Sequence, residues 1–93
     1  MGERVRQRKY HEYTVFRRAV FERDDYTCQN CGNRGGNLVA HHKDGYHWCK
    51  DKRVDKENGV TLCEGCHQDF HKRFGTKDNT KEQYKTWIKG KRT

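Results

Sequence analysis

A chain of 93 residues makes one domain, and this one is poor in apolar material: 37% of its residues are charged, 30% are hydrophobic, and Leu, Ile, Val and Phe together number 13. So thin a core does not offset chain entropy unaided, which excludes an ordinary oil-drop fold and calls for a staple, either disulfides or a metal. The net charge of +8 favours a polyanionic partner, and the longest apolar runs, three residues each, exclude a membrane-spanning helix.

Residues 1–13 carry Arg4, Arg6, Arg8 and Lys9 with little apolar content. They predict an exposed basic arm, either disordered or in contact with phosphates. The opening MGERVRQRKY has no apolar stretch of the kind an export signal needs, which predicts a cytoplasmic, reducing setting. From Thr14 as N-cap to about Arg23, the residues Val15, Phe16, Ala19 and Val20 recur at helical spacing, with Arg17, Arg18 and Arg23 on an outer face. Asp24-Asp25-Tyr26 leads into Cys28-Gln29-Asn30-Cys31-Gly32, which has the form of a metal knuckle, and residues 33–37 form a loop.

Leu38–His42 and Asn58–Cys63 are strand candidates. The polar excursion between them, residues 43–57, is long for a hairpin, and long loops are often functional. Its Tyr46 and Trp48 either stack on bases or cover the core, and the second reading is preferred. A helix is expected from about Glu64 to Phe74, ended by Gly75. Another runs from Thr80 to Lys89, opened by the capping box Thr80-Lys81-Glu82-Gln83, with Tyr84, Trp87 and Ile88 on one face. The fold class is α+β, in a single domain spanning residues 1–93.

Two Cys-x-x-Cys turns, Cys28/Cys31 and Cys63/Cys66, together supply the four thiolates of a closed tetrahedral site. In a reducing compartment structural zinc is preferred over disulfides or redox pairs, since no thioredoxin-like context surrounds either turn. Cys49 is left over as a free thiol.

Four of the six histidines form a second pattern. His67 and His71, four residues apart, project from one face of a helix, and His41 could complete a three-imidazole site with positions open to water and a phosphate oxygen. Neighbouring residues of an extended strand point to opposite sides, so His41 and His42 divide their labour. His11 and His47 match nothing and are read as surface residues.

Ala40-His41-His42, then Asn58-Gly59-Val60-Thr61-Leu62-Cys63, then Cys66-His67 and His71 resemble the signature of HNH endonucleases, over about residues 38–74. The knuckle at Cys28 and Cys31 extends the likeness to the zinc-stapled HNH proteins of phages and bacteria. The intervals from His42 to Asn58, Asn58 to His67 and His67 to His71 (16, 9 and 4 residues) are similar to those of colicin-type HNH nucleases. The resemblance implies a ββα-metal fold with flanking helices, and hydrolysis of DNA with weak sequence specificity. It makes His42 the general base and His41, His67 and His71 ligands of a catalytic divalent ion (Mg, Mn, Ni, Co or Zn). Asn58 then pins the loop that orients His42 or approaches that ion. A phage setting, with genome packaging beside the terminase, is implied by resemblance alone. A non-catalytic zinc-ribbon DNA-binding module explains the charge and cysteines but leaves His41, His42, Asn58, His67 and His71 without a role. A zinc-stabilised protein-interaction domain leaves the charge unexplained as well.

Overall fold

The computed structural model describes residues 2–92, with side chains from 11 to 88; the side chains of Arg4, Arg6, Arg8 and Lys9, and the exposure expected of that arm, lie outside the described residues. Helix α1 spans Gly2–Arg23, strand β1 Leu38–His42, strand β2 Gly59–Cys63, helix α2 Glu64–Phe74 and helix α3 Lys81–Arg92. Two single 3-10 turns, Lys50–Lys52 and Lys56–Asn58, interrupt the long loop. No described helix is long and apolar enough to cross a membrane.

Thr14 is therefore not an N-cap but a residue inside α1. Nothing upstream stops the helix: residues 3–13 contain neither Gly nor Pro and are rich in Glu, Arg, Gln and Lys, all good helix formers. Along α1, Phe16 and Val20 are buried, whereas Val15 is 52% exposed and stays out of the core.

The two strands pair antiparallel, with His41 opposite Val60 and His42 opposite Gly59. Asn58 ends a 3-10 turn instead of opening β2. Alternation along the strands divides the protein into three layers. On one face Ala40 packs with Phe16 and Val20 of α1. On the other, Val60 and Leu62 pack with Phe70 of α2 and Tyr84 and Trp87 of α3.

Gly59 lets α1 approach. A β-carbon built there would lie 2.5 Å from Val20 Cγ2 and 2.8 Å from Phe16 Cζ. Replacing Gly59 with Ala is expected to overpack this seam and cost about 1–3 kcal/mol in urea unfolding. A cost within experimental error would mean that the helix does not sit so close.

Arg23 does not line an outer face, as helical spacing alone suggested. It donates to the carbonyls of Lys56 and Gly59, each at 2.7 Å, and forks onto both oxygens of Asp24 at 2.9 Å. Asp24 in turn accepts from the Thr61 N–H at 2.9 Å. The end of α1 is thus tied to the start of β2 by groups that a one-dimensional pattern treats as solvent-facing.

The second half of the chain follows its local signals closely. Gly75 ends α2 at φ +80°, in the left-handed region open to glycine. At α3 the Thr80 hydroxyl accepts from the Gln83 N–H at 3.2 Å, while Gln83 Oε1 accepts from the Thr80 N–H at 3.0 Å. Tyr84 and Trp87 are buried, and Ile88 packs against them. Asp44, from the loop, accepts from the Lys81 N–H at 2.8 Å and so sits at the positive end of the helix. Tyr46 and Trp48 do not cover the core: they are 44% and 47% exposed. Trp48 donates instead to the Asn79 carbonyl at 2.6 Å, lying over Gly45.

Candidate functional site

The four expected cysteines come together. Cys28 and Cys31 sit on a tight turn, where Cys28 N–H donates to Asn33 O and Gly32 N–H to Cys28 O. Gln29 N–H donates to Thr61 O, docking this turn beside β2. Cys63 caps α2, its sulfur accepting from Cys66 N–H at 3.4 Å. All four sulfurs lie within 4.8 Å of one another. A tetrahedral ion with metal–sulfur bonds of about 2.3 Å needs sulfurs about 3.8 Å apart. Cys31 Sγ and Cys63 Sγ are 3.8 Å apart.

The electrostatics of the bare cluster call for a cation. Burial pulls the Cys28 thiol up, but the N–H groups of Cys31, Cys63 and Asn30 outweigh it and bring it down to about 7. Burial pushes Cys66 up to about 12, with Cys63 and Cys28 adding to the rise while the Asn30 amide opposes it. Four thiols this close cannot all ionise unless a cation shares the charge. The residues present fit a structural metal ion. Cys49 stands outside the cluster.

His41, His67 and His71 form a second group of ligand atoms within 4.8 Å of one another. His41 comes from β1 on the α2 side of the sheet and is only 3% exposed; its Nε2 is buried without a hydrogen-bond partner. An orphaned imidazole nitrogen facing two other imidazoles is a ligand-shaped defect. His71 Nδ1 donates to the Gly75 carbonyl at 2.7 Å, which leaves Nε2 with its lone pair. That Nε2 lies 2.9 Å from His67 Nε2, so either a proton or a cation must sit between them. Both clusters of candidate ligands meet on α2, since Cys66 and His67 are adjacent.

Burial holds His41 down to about 3, with His67 and His71 adding to the effect, and burial followed by His71 holds His67 down to about 4. Both are therefore neutral at pH 7 and ready to ligate. An unfolded histidine titrates near 6.5, so below that pH the unfolded chain binds protons that the folded one refuses. Stability should fall as pH drops from about 6.5 toward 4, by up to about 1.4 kcal/mol per pH unit from His41. Melting curves of wild type and His41→Leu across that window isolate the contribution. Parallel losses in the two proteins would show that His41 is not the group involved.

His42 points to the opposite face. Its ring lies on Phe16, with centroids 4.9 Å apart and planes 20° apart, and Tyr46 meets it edge-on at 5.3 Å. Phe16 reaches this position because Gly59, opposite His42, has no side chain. His42 Nε2 is 2.8 Å from the Arg53 carbonyl. A carbonyl only accepts, so Nε2 carries the proton and Nδ1 keeps a lone pair for a base. Burial lowers the His42 pKa, and the bond to Arg53 only partly restores it.

The side chain of Asn58 is committed to the loop. Its carbonyl oxygen accepts from Asp44 N–H at 2.9 Å, and its amide donates to Asp44 O at 3.0 Å and Lys52 O at 3.4 Å. It pins both ends of the loop that carries Arg53. His41, His42, His67 and His71 all line one open cleft of about 380 Å³. His47 also lines it, which its isolation in sequence did not suggest, and His11 is exposed on α1. Sequence reasoning missed two orienting groups, the carbonyls of Arg53 and Gly75, because backbone acceptors carry no residue code. No protein family model, no curated protein and no solved structure matches the chain, so geometry and chemistry alone bear on its function.

Proposed function

We propose that the protein is a metal-dependent DNA endonuclease of the HNH type, with structural zinc at Cys28, Cys31, Cys63 and Cys66 and a catalytic divalent ion at His41, His67 and His71. The observation that carries this reading is that His42, with one ring nitrogen committed to a carbonyl, lines the same open cleft as three converging imidazoles. Zinc is favoured at the cysteines by the all-thiolate donor set and by the 3.8 Å between the Cys31 and Cys63 sulfurs, which matches a tetrahedral edge. The three-imidazole site suits Zn, Ni, Co or Mn, with Mg a weaker fit to nitrogen donors.

Phosphodiester hydrolysis needs a base for the attacking water and positive charge at the phosphate. A divalent ion held by the three histidines supplies Lewis acidity toward the phosphate and stabilises the leaving 3′ oxygen. His42 Nδ1 takes the proton from water as the new oxygen–phosphorus bond forms and the bond to the 3′ oxygen breaks. The Arg53 carbonyl then accepts from the imidazolium that results. The 3′ oxygen takes a proton from solvent, and His42 returns its own to solvent. The +8 charge supplies sequence-independent attraction to DNA, with Lys77 between the cleft residues Thr76 and Asp78.

The deciding experiment incubates supercoiled plasmid with the purified protein and a panel of Mg, Mn, Co, Ni and Zn, alongside metal analysis. About one tightly held zinc per chain and cutting with at least one added ion are expected. DNA binding without cutting under every metal would hand the protein to the zinc-ribbon binding-module reading.

A further inference from the structure

Arg53 is marked by no sequence motif, yet both its backbone and its side chain are committed around His42. Its carbonyl receives the His42 Nε2–H at 2.8 Å. Its side chain turns back along the loop, where Nε donates to the Tyr46 carbonyl at 2.6 Å and Nη2 to the His47 carbonyl at 3.4 Å. The guanidinium also lies over the Tyr46 ring, 4.1 Å from its centroid. Tyr46 in turn meets the His42 ring edge-on at 5.3 Å. These contacts close a circuit: His42 to the Arg53 carbonyl, the Arg53 side chain to Tyr46, and Tyr46 back to His42.

We propose that Arg53 is a positioning residue for His42, its side chain clamping the loop so that its own carbonyl holds the imidazole in one tautomer and one orientation. The inference rests on the reading of His42 as the base. It differs from the role of Asn58, whose hydrogen bonds anchor the loop at residues 44 and 52, whereas those of the Arg53 side chain go to residues 46 and 47. A carbonyl can define a tautomer only if it stays put, and residues 50–58 contain just two single 3-10 turns. A planar fork stacked on an aromatic ring supplies the missing rigidity, and lysine does not reproduce that geometry.

The test uses the full chain loaded with both metals, as wild type, Arg53→Met and Arg53→Lys. Methionine keeps an apolar stem and removes the fork and the charge; lysine keeps the charge and removes the fork. Zinc content and amide spectra confirm that each variant is folded. Two readouts are then taken. In the wild type, the ring nitrogens of His42 should show the separated 15N shifts of a single Nε2–H tautomer, assigned by their loss in His42→Gln. In both variants those shifts should move toward their average. The kcat for plasmid cleavage should fall about 10- to 100-fold in both variants, the scale of a misplaced catalytic group, with KM and DNA affinity within twofold of wild type.

Unchanged His42 shifts in Arg53→Met would overturn the proposal. So would a raised KM with unchanged kcat, which would make Arg53 a phosphate contact, and so would full activity in Arg53→Lys, which would reduce its role to charge. The nitrogen shifts need no catalysis. If the wild type cuts nothing yet its His42 tautomer is fixed and released by both substitutions, the positioning inference stands and the endonuclease reading fails.

Discussion

Replacing His42 with alanine should leave a folded protein that keeps both metals and its affinity for DNA but cuts roughly 10²–10⁴ times more slowly, the usual worth of a positioned general base. The expectation follows from where the ring sits. His42 is on the opposite side of β1 from the three-histidine group, and its Nε2 is already committed to the Arg53 carbonyl. On the proposed assignment, losing it would remove a base but no ligand. Its packing partners, Phe16 and Tyr46, stay anchored by other contacts, Phe16 in the α1 seam and Tyr46 under Arg53. His67→Ala should behave differently. It withdraws a ligand atom from the group of three, so the second ion should be lost or weakened while the structural zinc remains, and excess metal should partly restore cutting. Cleavage, DNA binding and metal content measured on wild type and both variants separate the two roles. Wild-type cutting by His42→Ala would sink the assignment of the base.

Cys63→Ala should unfold the chain. Cys63 is both a member of the four-sulfur cluster and the residue whose sulfur caps α2. Structural zinc contributes an apparent 10–16 kcal/mol in small domains, against roughly 5–15 kcal/mol for the whole stability of a typical fold. The buried apolar residues here are few, and Cys28 is itself one of them. With one thiolate missing, the remaining core should not hold at 25 °C. Circular dichroism and metal analysis of the variant, with Cys49→Ala as a control outside the cluster, provide the check. A zinc-free Cys63→Ala protein that melts cooperatively near the wild-type temperature would refute the claim.

Legibility followed the range of the interaction. Contacts closed within four or five residues were readable: the Thr80–Gln83 box, the stop at Gly75 and the i, i+4 pair on α2 each declare themselves by residue type and spacing. The two clusters of candidate ligands were also readable, because ligand chemistry restricts which residues can serve. Groups whose partner is a distant backbone atom were not. Arg23 looks like any exposed arginine until the carbonyls of Lys56 and Gly59 arrive beside it. Tyr46 and Trp48 were misjudged because aromatic character argues for burial, whereas here one stacks under a guanidinium and the other bonds to Asn79 O. For Asn58 sequence left two roles open, and its amide is seen bonding the loop at Asp44.

A single peptide bond separates Cys66 from His67, and if both clusters hold ions it would make the two sites one thermodynamic unit. Cys63 caps the first turn of α2, which carries Cys66, and His67 follows directly on it. An ion at the cysteines would therefore act as a positive effector for an ion at the histidines, and reciprocity would require the converse. On the proposed reading loading would have an order: the thiolate site would fill as the chain folds, and the second site would be filled after it. An oxidant that strips the first ion should silence the cleft without touching a single histidine.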